Sequence, residues 1–75
     1  MAFIVSRHAQ RRMKLYNIDV TAIENMVNAA DQEPGQHEIV DSLVGYAYPI
    51  KVVYVVEGGD LTLITAFPLK RRLKS

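Results

Sequence analysis

Cysteine is absent from the 75 residues. That removes disulfides, thiolate zinc sites, redox pairs and cysteine nucleophiles together. Tryptophan is absent as well, and there are only two histidines, His8 and His37. His37 has no second ligand at metal spacing, so neither a metal site nor a cofactor is expected. No apolar run approaches the roughly 20 residues that cross a bilayer. The opening Met1-Ala2-Phe3-Ile4-Val5 is far shorter than a signal-peptide core. The expectation is a soluble, cytoplasmic protein with no membrane partner.

What is present is an ordinary globular composition. An apolar fraction of 49% against 23% charged residues disfavours disorder and low complexity. The length leaves room for one domain, residues 1–69, followed by a basic tail, 70–75. A core of this size supplies only about 3–5 kcal/mol, so a homodimer is the expected supplement.

The net charge of +1 conceals a segregation along the chain. Four of the nine bases (Arg7, Arg11, Arg12, Lys14) fall in one short stretch and four (Lys70, Arg71, Arg72, Lys74) in the tail. All eight acids lie between Asp19 and Asp60, where Lys51 is the only base. A charge pattern of this kind favours a localised contact with a polyanion over general stickiness.

Taken in order, Phe3-Ile4-Val5 is too short to separate a strand from an apolar anchor. Ser6 is a helix N-cap, and a helix follows from about Arg7 to Tyr16. At 100° per residue Ala9, Met13 and Tyr16 share one stripe, Arg7, Arg11 and Lys14 point the other way, and His8 and Arg12 lie on the shoulder between. Asn17 suits a left-handed stop and Asp19 the cap of a second helix running to Ala30, with Val20, Ile23, Met26 and Val27 on its apolar side.

Pro34-Gly35 ends the helical half, and the remainder reads as strands: His37 to Val44, Tyr46 to Glu57 with regular pairing from Ile50, and a last strand ending at Pro68. Gly58-Gly59 signals a two-residue hairpin. It sets Val56 opposite Leu61, Tyr54 opposite Leu63, Val52 opposite Thr65 and Ile50 opposite Phe67, all facing the helices. Lys51, Val53, Val55, Thr62 and Ile64 take the other face, which a partner subunit or the N-terminal strand would cover. The fold class is therefore α+β, two N-terminal helices packed on one face of a three- to four-stranded antiparallel sheet.

Ser6-Arg7-His8-Ala9, Arg12-Met13, Asn17-Ile18-Asp19, Ile23-Glu24, Lys51-Val52-Val53-Tyr54 and Leu63-Ile64-Thr65-Ala66-Phe67-Pro68 together resemble, in order and spacing, a family of small bacterial and phage-associated domains known as domain of unknown function 4258. Asparagine stands at Asn17 where that family usually has glycine. Such domains are similar in outline to ribonuclease toxins of the barnase, colicin and RelE type. The resemblance implies RNA as substrate and an antitoxin or other protein as partner.

Cleavage of RNA through its 2′-hydroxyl needs proton-transfer groups and a cation on the charged phosphorane. His8 suits acid–base work because imidazole titrates near neutrality. Arg12, one helical turn on, suits a phosphate oxygen. Thr65, expected on the helix-facing side of the last strand, would position the substrate. These three are the candidate catalytic residues of a metal-independent endoribonuclease. Arg7, Arg11, Lys14, Lys70, Arg71 and Arg72 are the candidate nucleic-acid contacts. Tyr46, Tyr48 and Tyr54 are candidate base-stacking rings. Two alternatives remain open: a non-catalytic nucleic-acid-binding domain, and an interaction module of a phage or mobile element.

Overall fold

In the computed structural model, which describes residues 2–69, Phe3–Val5 (β1) leads into two helices, Arg7–Leu15 (α1) and Val20–Asn28 (α2), and then three strands, Gly35–Asp41 (β2), Ile50–Glu57 (β3) and Asp60–Pro68 (β4). The strands form one sheet in the order β1-β4-β3-β2. This is the expected α+β class. The sheet is mixed rather than wholly antiparallel, because β1 runs parallel to β4, with Phe3 opposite Leu61 and Val5 opposite Leu63. The anticipated tail, with Lys70, Arg71 and Arg72, lies outside the described residues.

Local chemistry places most of the boundaries. Ser6 caps α1, its hydroxyl accepting from the Ala9 amide at 3.1 Å, and Asp19 caps α2 by accepting from the Thr21 amide at 3.1 Å. The first helix stops because Asn17 takes a left-handed conformation, φ 56°, which lets the Ile18 amide donate back to the Met13 carbonyl at 2.8 Å. Asparagine thus does the work that glycine does at most such stops. The Gly58-Gly59 turn has φ of 59° and 83°, the doubly left-handed geometry whose twist matches that of paired strands.

The hairpin register is as expected from the turn as far as Tyr54 opposite Leu63 and then changes. Beyond it, Val53 faces Thr65, Val52 faces Ala66 and Lys51 faces Phe67, so Ile64 is an extra residue in β4, a β-bulge. Leu63 and Ala66 are both fully buried, a spacing of three where strict alternation gives two. Thr65 and Phe67 consequently move to the face away from the helices, which corrects the expectation for both.

Ser6 explains why the extra residue sits there. Its amide donates to the Leu63 carbonyl at 3.0 Å and its hydroxyl donates to the Ile64 carbonyl at 2.9 Å. One side chain therefore caps α1 and holds the bulge. Ser6→Ala is expected to cost about 1–2 kcal/mol, the loss of a part-buried cap plus an exposed hydrogen bond. That corresponds to a thermal midpoint lower by about 4–8 °C per kcal/mol, measurable by circular dichroism.

The core fills the space between the helices and one sheet face. Ala9 and Met13 of α1, Ile23, Met26 and Val27 of α2, and Ile50, Val52, Tyr54, Leu61 and Leu63 of the sheet are buried. On the opposite face Ile4 is 45% exposed, Val40 53% and Ile64 37%. The N-terminal strand does not cover this face; it extends the sheet at its edge beside β4. No helix among the described residues is long and apolar enough to cross a membrane.

Candidate nucleic-acid interface

The amphipathic pattern of α1 determines what faces outward. Ala9 and Met13 are buried and Tyr16 is half-buried, which fixes the helix's rotation on the sheet. Arg7, His8, Arg11 and Lys14 are then exposed, and Arg12 is half-buried. Among the described residues, none of these side chains has an ion-pair or hydrogen-bond partner.

The acids are engaged elsewhere or lie in other elements. Lys51 is paired with Glu38 at 3.1 Å on the open sheet face. Asp19 caps α2, and Asp60 accepts from the Ala2 amide at 3.1 Å. Three exposed cations and the half-buried Arg12, none with a carboxylate partner among the described residues, therefore lie along nine residues of helix, roughly 13 Å of length. Such a row holds successive phosphates by charge and needs little geometry.

Of the three expected catalytic residues, two share a flank. His8 and Arg12, four residues apart on α1, are neighbours by helix geometry. Thr65 is not with them: the Ile64 bulge turns it to the sheet face away from α1. The trio His8, Arg12 and Thr65 is not assembled.

The sheet's other end carries a constellation that the sequence reading passed over. The His37 ring stacks on Tyr54, centroids 5.2 Å apart, because the two residues are cross-strand partners on the helix-facing side. His37 Nε2 lies 2.6 Å from the Glu33 carbonyl. A carbonyl only accepts, so Nε2 carries a proton and donates. Nδ1 then faces Asp31 Oδ2 at 3.9 Å, and the Tyr54 hydroxyl donates to the Asp31 carbonyl at 2.7 Å. Burial pushes the Tyr54 phenol above the ordinary 10.0, and the Asp31 charge adds to that. These contacts tie the α2–β2 connection to the sheet. The alternation of His37 with Ile39 was the available signal, since it puts both on the core face. Among the described residues no three His, Asp or Glu side chains converge as metal ligands.

The candidate stacking rings divide. Tyr54 is fully buried in the core and cannot receive a base. Tyr46 and Tyr48, from the β2–β3 connection, line a pocket of about 200 Å³ together with Tyr16 at the end of α1, Ile18, Ile50 and Pro68. Tyr46 is fixed by its hydroxyl, which accepts from the Asp19 amide at 2.8 Å and donates to the Asn17 carbonyl at 3.3 Å. Tyr48 is 44% exposed.

Comparison with family models, with curated proteins and with solved structures gives no match for this chain. The functional reading accordingly rests on residues and geometry alone.

Proposed function

We propose that this is a nucleic-acid-binding domain that holds the phosphate backbone of RNA along the outer face of α1, through Arg7, Arg11 and Lys14, with the half-buried Arg12 on its flank. The observation that carries the reading is the absence, among the described residues, of any carboxylate partner for these four cations, while the one base in the acidic middle of the chain, Lys51, is paired with Glu38. Surface cations left unpaired cost little in water and are available to displace counterions from a polyanion.

Binding alone is proposed because Thr65, the residue expected to position a substrate for cleavage, lies on the sheet face away from α1. His8 and Arg12 remain side by side, a proton-transfer group beside a phosphate-binding group. The test is incubation of the full chain with end-labelled RNA in the presence of a chelator, resolving both the bound fraction and the length of the RNA. RNA retained by the protein and recovered at full length is the expected result. RNA that is not retained at low salt overturns the proposal. RNA that is shortened by the wild type and spared by His8→Ala would instead make α1 part of an active site.

A further inference from the structure

We infer that the three-tyrosine pocket at the end of α1 is a nucleobase subsite, so that the bound nucleic acid is a single strand with one base unstacked from its neighbours. The inference rests on the proposed phosphate contact along α1 and specifies what that surface takes.

The walls define the chemistry of the occupant. Tyr16, Tyr46 and Tyr48 present rings, and Ile18, Ala47, Ile50 and Pro68 complete the lining; among the described residues no cation and no carboxylate contributes to it. A pocket of this composition rejects a phosphate or a metal ion, whose hydration it cannot replace. It accepts a neutral, flat, polarisable body, and splayed bases are commonly stacked on aromatic side chains such as tyrosine. Its volume of about 200 Å³ is smaller than that of a site for a drug-sized ligand, which limits the occupant to one small ring system. The Tyr46 ring is held ready by the two hydrogen bonds of its hydroxyl to the α1–α2 turn, so its orientation is set before a ligand arrives.

Its position matches the charge. Tyr16 is the C-cap of α1 and lies four residues, one helical turn, after Arg12, which places the pocket wall and that cation on the same flank. A strand whose phosphates follow α1 therefore reaches the pocket at the helix's C-terminal end. A duplex keeps its bases paired and stacked and cannot deliver one without a cost of a few kcal/mol.

The test compares a short labelled oligoadenylate, the same sequence as a duplex, and linear polyphosphate, each titrated with the full chain and with Tyr48→Ala and Tyr48→Phe. Tyr48 is the most exposed of the three rings and lies outside the core, so its replacement leaves the core intact. Tyr48→Ala is expected to weaken binding of the single strand by about tenfold or more, the effect of losing one stacking ring. Tyr48→Phe, which keeps the ring, is expected to stay within about twofold. Polyphosphate affinity should not change in either variant, and the duplex should bind less tightly than the single strand.

Single-strand affinity untouched by Tyr48→Ala would overturn the subsite and leave the phosphate contact standing. Equal weakening of single strand and polyphosphate would mean that the substitution disturbs α1, and would also overturn it. A wild-type chain that binds neither RNA nor polyphosphate removes both readings, and a chain that binds a partner protein through this pocket in place of RNA removes the subsite.

Discussion

Tyr54→Ala is expected to lower the thermal midpoint by about 15–30 °C, enough to leave much of the chain unfolded at physiological temperature. The side chain is completely buried between the helices and the sheet. Deleting a buried aromatic costs roughly 3–5 kcal/mol, transfer free energy plus the cavity left behind. A chain of 75 residues has of the order of 4–11 kcal/mol to lose, and each kcal/mol moves the midpoint by about 4–8 °C. The substitution also removes the surface on which His37 stacks and the bond that holds the Asp31 carbonyl.

Tyr54→Phe separates these contributions. It keeps the ring and should cost only about 1 kcal/mol, the worth of one hydrogen bond. It should also alter the alkaline limb of stability. In the folded state burial first, and the Asp31 charge second, raise the phenol's pKa. The unfolded chain gives up that proton first, so the stability is present in full below pH about 10 and falls as pH climbs from there through the raised folded value. Denaturant midpoints measured on either side of pH 10 should show this fall in the wild type and a smaller one in Tyr54→Phe. An equal fall in both proteins would locate the alkaline sensitivity elsewhere.

Reversing charge on the outer face of α1, with Arg7→Glu, Arg11→Glu and Lys14→Glu together, is expected to weaken RNA binding by on the order of a thousandfold at low salt. Three phosphate contacts become three repulsions, and each contact carries roughly a factor of ten under those conditions. The fold should survive, because all three side chains are exposed and none has an ion pair to lose among the described residues. The change in unfolding free energy should stay within about 0.5 kcal/mol per substitution. Undiminished RNA binding in a folded triple variant would place the contact elsewhere on the molecule. The same variant with Tyr48 intact distinguishes the charge surface from the pocket, since stacking alone does not hold a strand in place.

What the sequence reveals and what it hides follow from the range of the forces involved. The caps at Ser6 and Asp19, the left-handed stop at Asn17 and the Gly58-Gly59 turn are each decided within a few residues, and each is where the residue types put it. The stripe of Ala9, Met13 and Tyr16 follows from helix spacing, and so does the outward face of Arg7, Arg11 and Lys14.

The bulge at Ile64 has no local cause. It depends on Ser6, 58 residues earlier, taking hold of the Ile64 carbonyl, and on β1 lying beside β4. Counting outward from the hairpin therefore misplaces everything past Leu63, and Thr65 is lost from the candidate site for that reason alone. The pocket was illegible for a similar reason. Tyr16 ends α1 while Tyr46 and Tyr48 lie much later in the chain, in the β2–β3 connection, and Tyr46 is tied to the turn after α1 by two long-range bonds.

The salt dependence of RNA binding tests the role of α1 most directly. Affinity for a single-stranded RNA, measured by fluorescence anisotropy over a range of monovalent salt, should fall linearly on logarithmic axes with a slope of about −2 to −3, since each of the four cations releases about 0.7 of a counterion from a single strand. A slope near zero, or one that the triple charge reversal leaves unchanged, would contradict a phosphate contact on this helix.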